Sequence, residues 1–210
     1  MGERAGQRWN RRDFFAGAAL LALVVGVPAA AVRLSDLPDD EAPTDRQRAL
    51  MREVSQLVLP RTGTAGAGDV GVGDFVVLAL VHGLEGSRTS AAGAATPQFV
   101  RFRRPDGSLR QLSWLEDELD RRSRGDFLAR PIAVRSEVLA KLDAEAFAKD
   151  VRDHPWKTVK GLILTGYYTS ETGGSKELRY ELVPGRWDPD LPLHPGDRAF
   201  SSDWTAVDFG

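Results

Sequence analysis

From Asp45 to Tyr168, apolar residues return every three or four positions, and a proline or capping residue opens or closes almost every run. That period belongs to amphipathic helices and constrains the fold more than any other feature of the chain. Thr44-Asp45-Arg46-Gln47 has the form of a capping box, in which a hydroxyl and an amide each satisfy a free backbone N–H. Leu50, Met51, Val54, Leu57 and Val58 follow on one face, which predicts a helix over 45–59 ended by Pro60. Ser113 and Glu116 form a second candidate capping box, opening a charged helix from about Trp114 to Arg122. Pro131 suits the first position of a helix running to Leu142, with a shorter helix over 143–150. Pro155 suits the same position in the next helix, whose inner face carries Trp156, Val159, Leu162 and Ile163.

Two stretches interrupt this pattern. Residues 60–73 are rich in Gly, Ala and Thr and read as a loop. The nearly all-apolar run 74–84 reads as a buried helix started by Asp74, although a buried strand has the same composition. Farther on, Phe99 to Arg103 and Leu109 to Leu112 flank a Pro105-Asp106-Gly107-Ser108 turn, which predicts a β-hairpin inserted within 86–112. The expected fold is therefore mainly α: a compact helical domain over 44–169, one β-hairpin insertion, and a long irregular tail over 170–210 that packs on a partner.

Upstream of the domain lies a leader. Arg11 and Arg12 precede an uncharged run from Phe14 to Ala31 that ends in Ala29-Ala30-Ala31. Charged residues, an apolar stretch and an A-x-A-like end make a secretory signal. The arginine pair points to the twin-arginine (Tat) translocase, which carries folded proteins. Cleavage is expected after Ala31, and an uncleaved anchor is the alternative, because 18 residues reach the lower edge of a spanning helix. Residues 32–43 then form an acidic, proline-bearing linker.

Without residues 1–31 the chain carries 24 basic and 28 acidic side chains. That balance offers no electrostatic footprint for nucleic acid and no polybasic membrane patch. The sequence has no cysteine, so covalent haem, iron–sulfur ligation and thiol nucleophiles are excluded.

Other chemistries find little support. Gly66-x-Gly68-x-x-Gly71 matches a dinucleotide fingerprint by letter, but a helix precedes it where a strand is needed. His82, His154 and His194 lack metal-ligand spacing; His82 reads as a core histidine and His154 as a turn or cap residue. No G-x-S-x-G elbow is present. Glu116 and Asp120 sit at i, i+4 among arginines, as on a solvated helix face.

No catalytic, cofactor-binding or metal residue is therefore expected in this chain. What stands out is an aromatic cluster: Tyr167 and Tyr168, then Tyr180 and Trp187. Tyrosine, tryptophan and arginine dominate interface hot spots.

Leu59-Pro60-Arg61-Thr62-Gly63-Thr64-Ala65-Gly66-Ala67 resembles the IPRTDTPGA stretch of the gluconate 2-dehydrogenase subunit 3 family. Gly166-Tyr167-Tyr168-Thr169-Ser170-Glu171, with Pro184-Gly185, resembles its GYYTSE…PG signature. The likeness covers about residues 12–195, leader included. Gly63 and Ala65 stand where the family has Asp and Pro, and 86–112 looks like an insertion.

The resemblance implies a small subunit without a cofactor, bound to a flavoprotein of the glucose–methanol–choline type that holds FAD. A cytochrome c subunit and the Tat translocase are further implied partners. The implied role is to stabilise the flavoprotein and supply the signal for its export to the periplasm. The implied interface residues are Pro60, Arg61, Thr62, Thr64, Tyr167, Tyr168, Glu171, Tyr180 and Trp187. The alternative is a free-standing periplasmic assembly or binding factor.

Overall fold

The computed structural model describes residues 42–88, 97–180, 192 and 194–201, and these residues are mainly helical. Five α-helices run through them: α1 (Asp45–Val58), α2 (Val72–His82), α3 (Gln111–Ser123), α4 (Ile132–Ala146) and α5 (Pro155–Tyr168). The leader with Arg11, Arg12, Ala29 and Ala31, most of the linker, and Trp187 lie outside the described residues.

α1 begins as its sequence dictates. The Thr44 hydroxyl accepts from the Gln47 backbone N–H at 3.1 Å, and the Gln47 side chain accepts from the Thr44 backbone N–H at 3.2 Å. The apolar run is a helix rather than a strand. It starts at Val72, two residues ahead of Asp74, and is capped by Gly71 in the left-handed region. α2 is apolar on every side, and Val76, Val77, Ala79 and Val81 are fully enclosed, as a helix of that composition must be.

α2 is the centre of the bundle; α1, α3 and α5 pack around it. Two glycines set the crossings. A Cβ at Gly73 would lie 2.6 Å from the Arg52 backbone nitrogen on α1, and one at Gly166 would lie 2.5 Å from the Phe75 ring on α2. Neither distance is sterically possible, so the close approach of both neighbours to α2 depends on the absence of a side chain.

The hairpin shrinks to a turn. Residues Pro97–Phe102 form 3-10 helix, and the flanks meet in a single antiparallel bridge, Arg103 to Leu109. The reason lies in spacing. Phe99 and Phe102 are both buried while Val100 and Arg101 are exposed. A three-residue interval lines one side of a 3-10 turn but both sides of a strand.

The second capping box also gives way. α3 starts at Gln111 with Arg110 at its N-cap and no side-chain cap, so Ser113 sits inside the helix. Burial of Gln111, Leu112 and Trp114 pulls the helix start back toward the turn.

α4 takes up the first half of the expected shorter helix over 143–150 and ends at Ala146, with Pro131 just outside its first turn. α5 starts as expected with Pro155 in the first turn, and the His154 side chain accepts from the Trp156 N–H at 3.2 Å. Trp156 is fully enclosed, and its indole N–H donates to Asp143 at 2.7 Å. Beyond α5 the expected irregular tail is partly ordered. Gly173–Glu177 form a π-helical turn, and β1 (Leu178–Tyr180) pairs in parallel with β2 (Ala199–Ser201).

Candidate partner-binding surface

The loop after α1 and the end of α5 are far apart in sequence and joined in space. The Tyr167 hydroxyl donates to the Ala65 carbonyl at 3.0 Å, and the Glu177 carboxylate lies 3.5 Å from the same hydroxyl. The Thr64 hydroxyl bonds to that carboxylate as well. Burial pushes the Tyr167 phenol up from its ordinary value, and the nearby Glu177 charge adds to the effect. The phenol therefore stays protonated and donates. One tyrosine thus pins the 60–67 loop to the end of the helix that carries it.

The loop has its own internal scaffold. Asp69 accepts from the Gly66 N–H at 2.9 Å and pairs with Arg61 at 2.8 Å. Arg61 and the Gly66 N–H hold the Asp69 carboxyl below its ordinary value. The Gly68 N–H donates to Gln56 on α1 at 2.9 Å. A Cβ at Gly66 would lie 2.7 Å from the Arg61 nitrogen. These glycines permit the loop to lie against α1; they form no phosphate cradle after a strand, which is the context a dinucleotide site requires.

The surface built this way is mixed. Pro60, Arg61 and Thr62 are exposed, and Thr64 is half-buried. Tyr167 is not on the surface: only 4% of it is exposed, because α5 turns it onto the loop. Its neighbour Tyr168 is 39% exposed and meets it edge-to-face with ring centres 5.3 Å apart. Leu164, one turn earlier, is also exposed, as is Glu171. Tyr180 contributes backbone to β1, opposite Ser201.

Sequence reasoning missed Glu177 and gave Ser170, which lies in the GYYTSE segment, no role of its own. Ser170 donates to the Tyr167 carbonyl at 2.6 Å and accepts from the Gly173 N–H at 3.1 Å, which turns the chain after α5. Glu177 lies in neither a periodic segment nor a signature, so no signal marked it.

Elsewhere, the Glu116 and Asp120 pair proves to be more than a solvated face. Both carboxylates bind Arg46 of α1, which also pairs with Asp126 at 2.8 Å, and Asp120 accepts the Phe127 N–H at 2.8 Å. The i, i+4 spacing is there, but a partner from another helix organises it. His82 ends α2 half-buried, and His154 is the cap of α5. Among the described residues no group of three or more His, Asp or Glu is arranged to hold a metal ion. Among them, too, no helix is long and apolar enough to cross a membrane.

The gluconate 2-dehydrogenase subunit 3 family model matches residues 45–185, well over half of the chain. The chain belongs to the gluconate 2-dehydrogenase subunit 3 family. The match begins with α1 and runs past both segments that Tyr167 joins. Membership makes the chain an accessory subunit of a dehydrogenase and implies a dehydrogenase subunit as its partner. No curated protein and no solved structure matches the chain.

Proposed function

We propose that this chain is the non-catalytic small subunit of a periplasmic FAD-dependent sugar dehydrogenase of the gluconate, glucose, fructose or glucoside type. It stabilises a glucose–methanol–choline-type flavoprotein and supplies the Tat signal, through Arg11 and Arg12, for export of the folded pair. A cytochrome c subunit takes the electrons onward. FAD resides in the partner.

The observation that carries this reading is the junction at Tyr167. The two segments resembling family signatures, 59–67 and 166–171, form one surface through the Tyr167–Ala65 and Thr64–Glu177 contacts. Pro60, Arg61, Thr62, Tyr168 and Glu171 are exposed and flank the joined segments in sequence, and Arg and Tyr are the residues that anchor interfaces.

The test is co-expression with a glucose–methanol–choline-type flavoprotein from the same source. The pair should co-purify with FAD in the larger chain and reach the periplasm together. Arg11→Lys with Arg12→Lys should hold both chains in the cytoplasm. A flavoprotein exported and active without this chain would sink the proposal.

A further inference from the structure

A cleft opens beside the start of α5, at the other end of that helix from the Tyr167 junction. It measures about 740 Å³ and lies between the 3-10 turn Pro97–Phe102, α3, the end of α4 and the His154 cap. That size falls within the range of ligand-binding clefts. Phe99, Phe102 and Trp114 form its floor, each less than a tenth exposed, and Val100 stands at its lip, 57% exposed.

The charged side chains around the cleft answer one another. Arg101 pairs with Asp117, Arg121 with Glu118 at 2.7 Å, and Arg122 with both Glu118 and Glu145. The Arg101 guanidinium also covers the Phe102 ring, 4.6 Å from its centre. Three cations meet three anions, so the cleft calls for an occupant without net charge.

Two N–H groups are left over. Trp114 is 4% exposed and packs edge-on against Phe99 and His154. Its indole N–H finds no acceptor among the described residues, yet it is not sealed in, so it opens on the cleft that the ring lines. His154 commits Nδ1 to the Trp156 N–H. Burial holds its pKa below the ordinary 6.5, so the neutral ring carries its proton on Nε2. That N–H, too, has no acceptor among the described residues. Anything that covers these donors must bring acceptors, because a covered donor left unpaired keeps its full desolvation cost.

We infer that the cleft receives a loop of the dehydrogenase subunit, which sets an apolar side chain on Phe99 and Phe102 and turns backbone carbonyls to the Trp114 and His154 N–H groups. An extended polypeptide offers side chain and carbonyl at adjacent positions, and its backbone carries no charge. Family membership implies such a partner, and the assignment stands on the function proposed above. The turn that walls the cleft lies within 86–112, the stretch that looks like an insertion against the family pattern. The cleft thus belongs to what sets this chain apart, and it suits the choice of one dehydrogenase subunit among those of the family.

The test titrates the full chain against the dehydrogenase subunit. Val100→Glu puts a carboxylate at the lip and should weaken binding about ten-fold. It should leave the melting temperature of the chain alone unchanged, since Val100 is largely exposed. Trp114→Phe keeps an aromatic ring without the N–H and should weaken binding about five-fold. A third measurement needs no substitution: the Trp114 indole proton should exchange with solvent about ten-fold more slowly once the subunit is added. Native-strength binding by either variant, or unchanged indole exchange, overturns the inference and leaves the proposed function standing. A native chain that does not bind the subunit overturns both. Loss of self-association in Val100→Glu gives the cleft to a second copy and overturns the inference alone.

Discussion

The two ends of α5 are held by opposite means. At its start, Trp156 is enclosed and Asp143 of α4 takes both the indole N–H and the Lys160 ammonium, at 2.7 Å each. Phe147 lies under Lys157 and Lys160, and the His154 ring stands edge-on to Trp114 with centres 5.7 Å apart. At its far end the helix is held by a phenol, two hydroxyls and the Glu177 carboxylate. The first end directs its polar groups at its own neighbours. The second fixes one tyrosine inward and leaves the next outward. A helix locked at one end can present a surface at the other without that surface carrying the stability of the fold.

Experiments can break this contrast at either end. The largest effect belongs to the closed end. Trp156→Ala should remove about 3–5 kcal/mol in denaturant unfolding, because the ring leaves a cavity and Asp143 loses a donor. If the loss were under about 1 kcal/mol, the start of α5 would not be the anchor described.

The helix crossing comes next. Gly166→Ala should destabilise by about 1–3 kcal/mol through contact with the Phe75 ring. Phe75→Leu in the same chain should recover part of that loss, which a double-mutant cycle would read as coupling.

The tyrosine pair sharpens the comparison directly. Tyr167→Phe should cost about 1 kcal/mol of stability by deleting the bond to Ala65. Tyr168→Ala should change stability by less than about 0.5 kcal/mol yet weaken retention of the dehydrogenase subunit in a pull-down. If the two changes exchanged effects, the assignment of inward and outward roles would be reversed.

The smallest expected effect is a pH slope at the closed end. Burial lowers the His154 pKa below its ordinary 6.5; Glu118 and Glu145 pull it upward, while Arg122 and Lys157 push it down. With the folded value depressed, the unfolded chain binds the proton first. The contribution to stability is thus complete above 6.5 and erodes as the pH falls from there to the folded value. His154→Asn keeps a capping side chain without titrating and should flatten that slope in melting curves from neutral to mildly acid pH. Asp143 acts lower on the scale. Burial opposes its ionisation, but the Lys160 ammonium and the Trp156 N–H outweigh it and hold its carboxyl below the ordinary value. Its share of stability is present above the ordinary carboxylate range and is lost only as the pH falls through the folded value.

Local chemistry was legible in the sequence wherever it decided the structure locally. The Thr44–Gln47 box, the stop at Pro60 and the start at Pro155 each depend on atoms within four residues, so the letters sufficed. The helical class followed from periodicity in the same way. The candidate site was legible in part: its two segments were marked by composition and resemblance, but their contact was not.

What only the tertiary structure decided involves partners distant along the chain. Phe99 and Phe102 turned a predicted strand into 3-10 helix because the core lies on one side of both. Arg46 gathered Glu116, Asp120 and Asp126 from about seventy to eighty residues away. Tyr167 and Tyr168 are adjacent and chemically identical, and no local rule tells them apart. A helix rotates successive side chains by about 100°, so whether a given tyrosine faces loop or solvent depends on what packs beside it. Here that is the loop at Ala65, and it decides which tyrosine serves the fold and which is left for a partner.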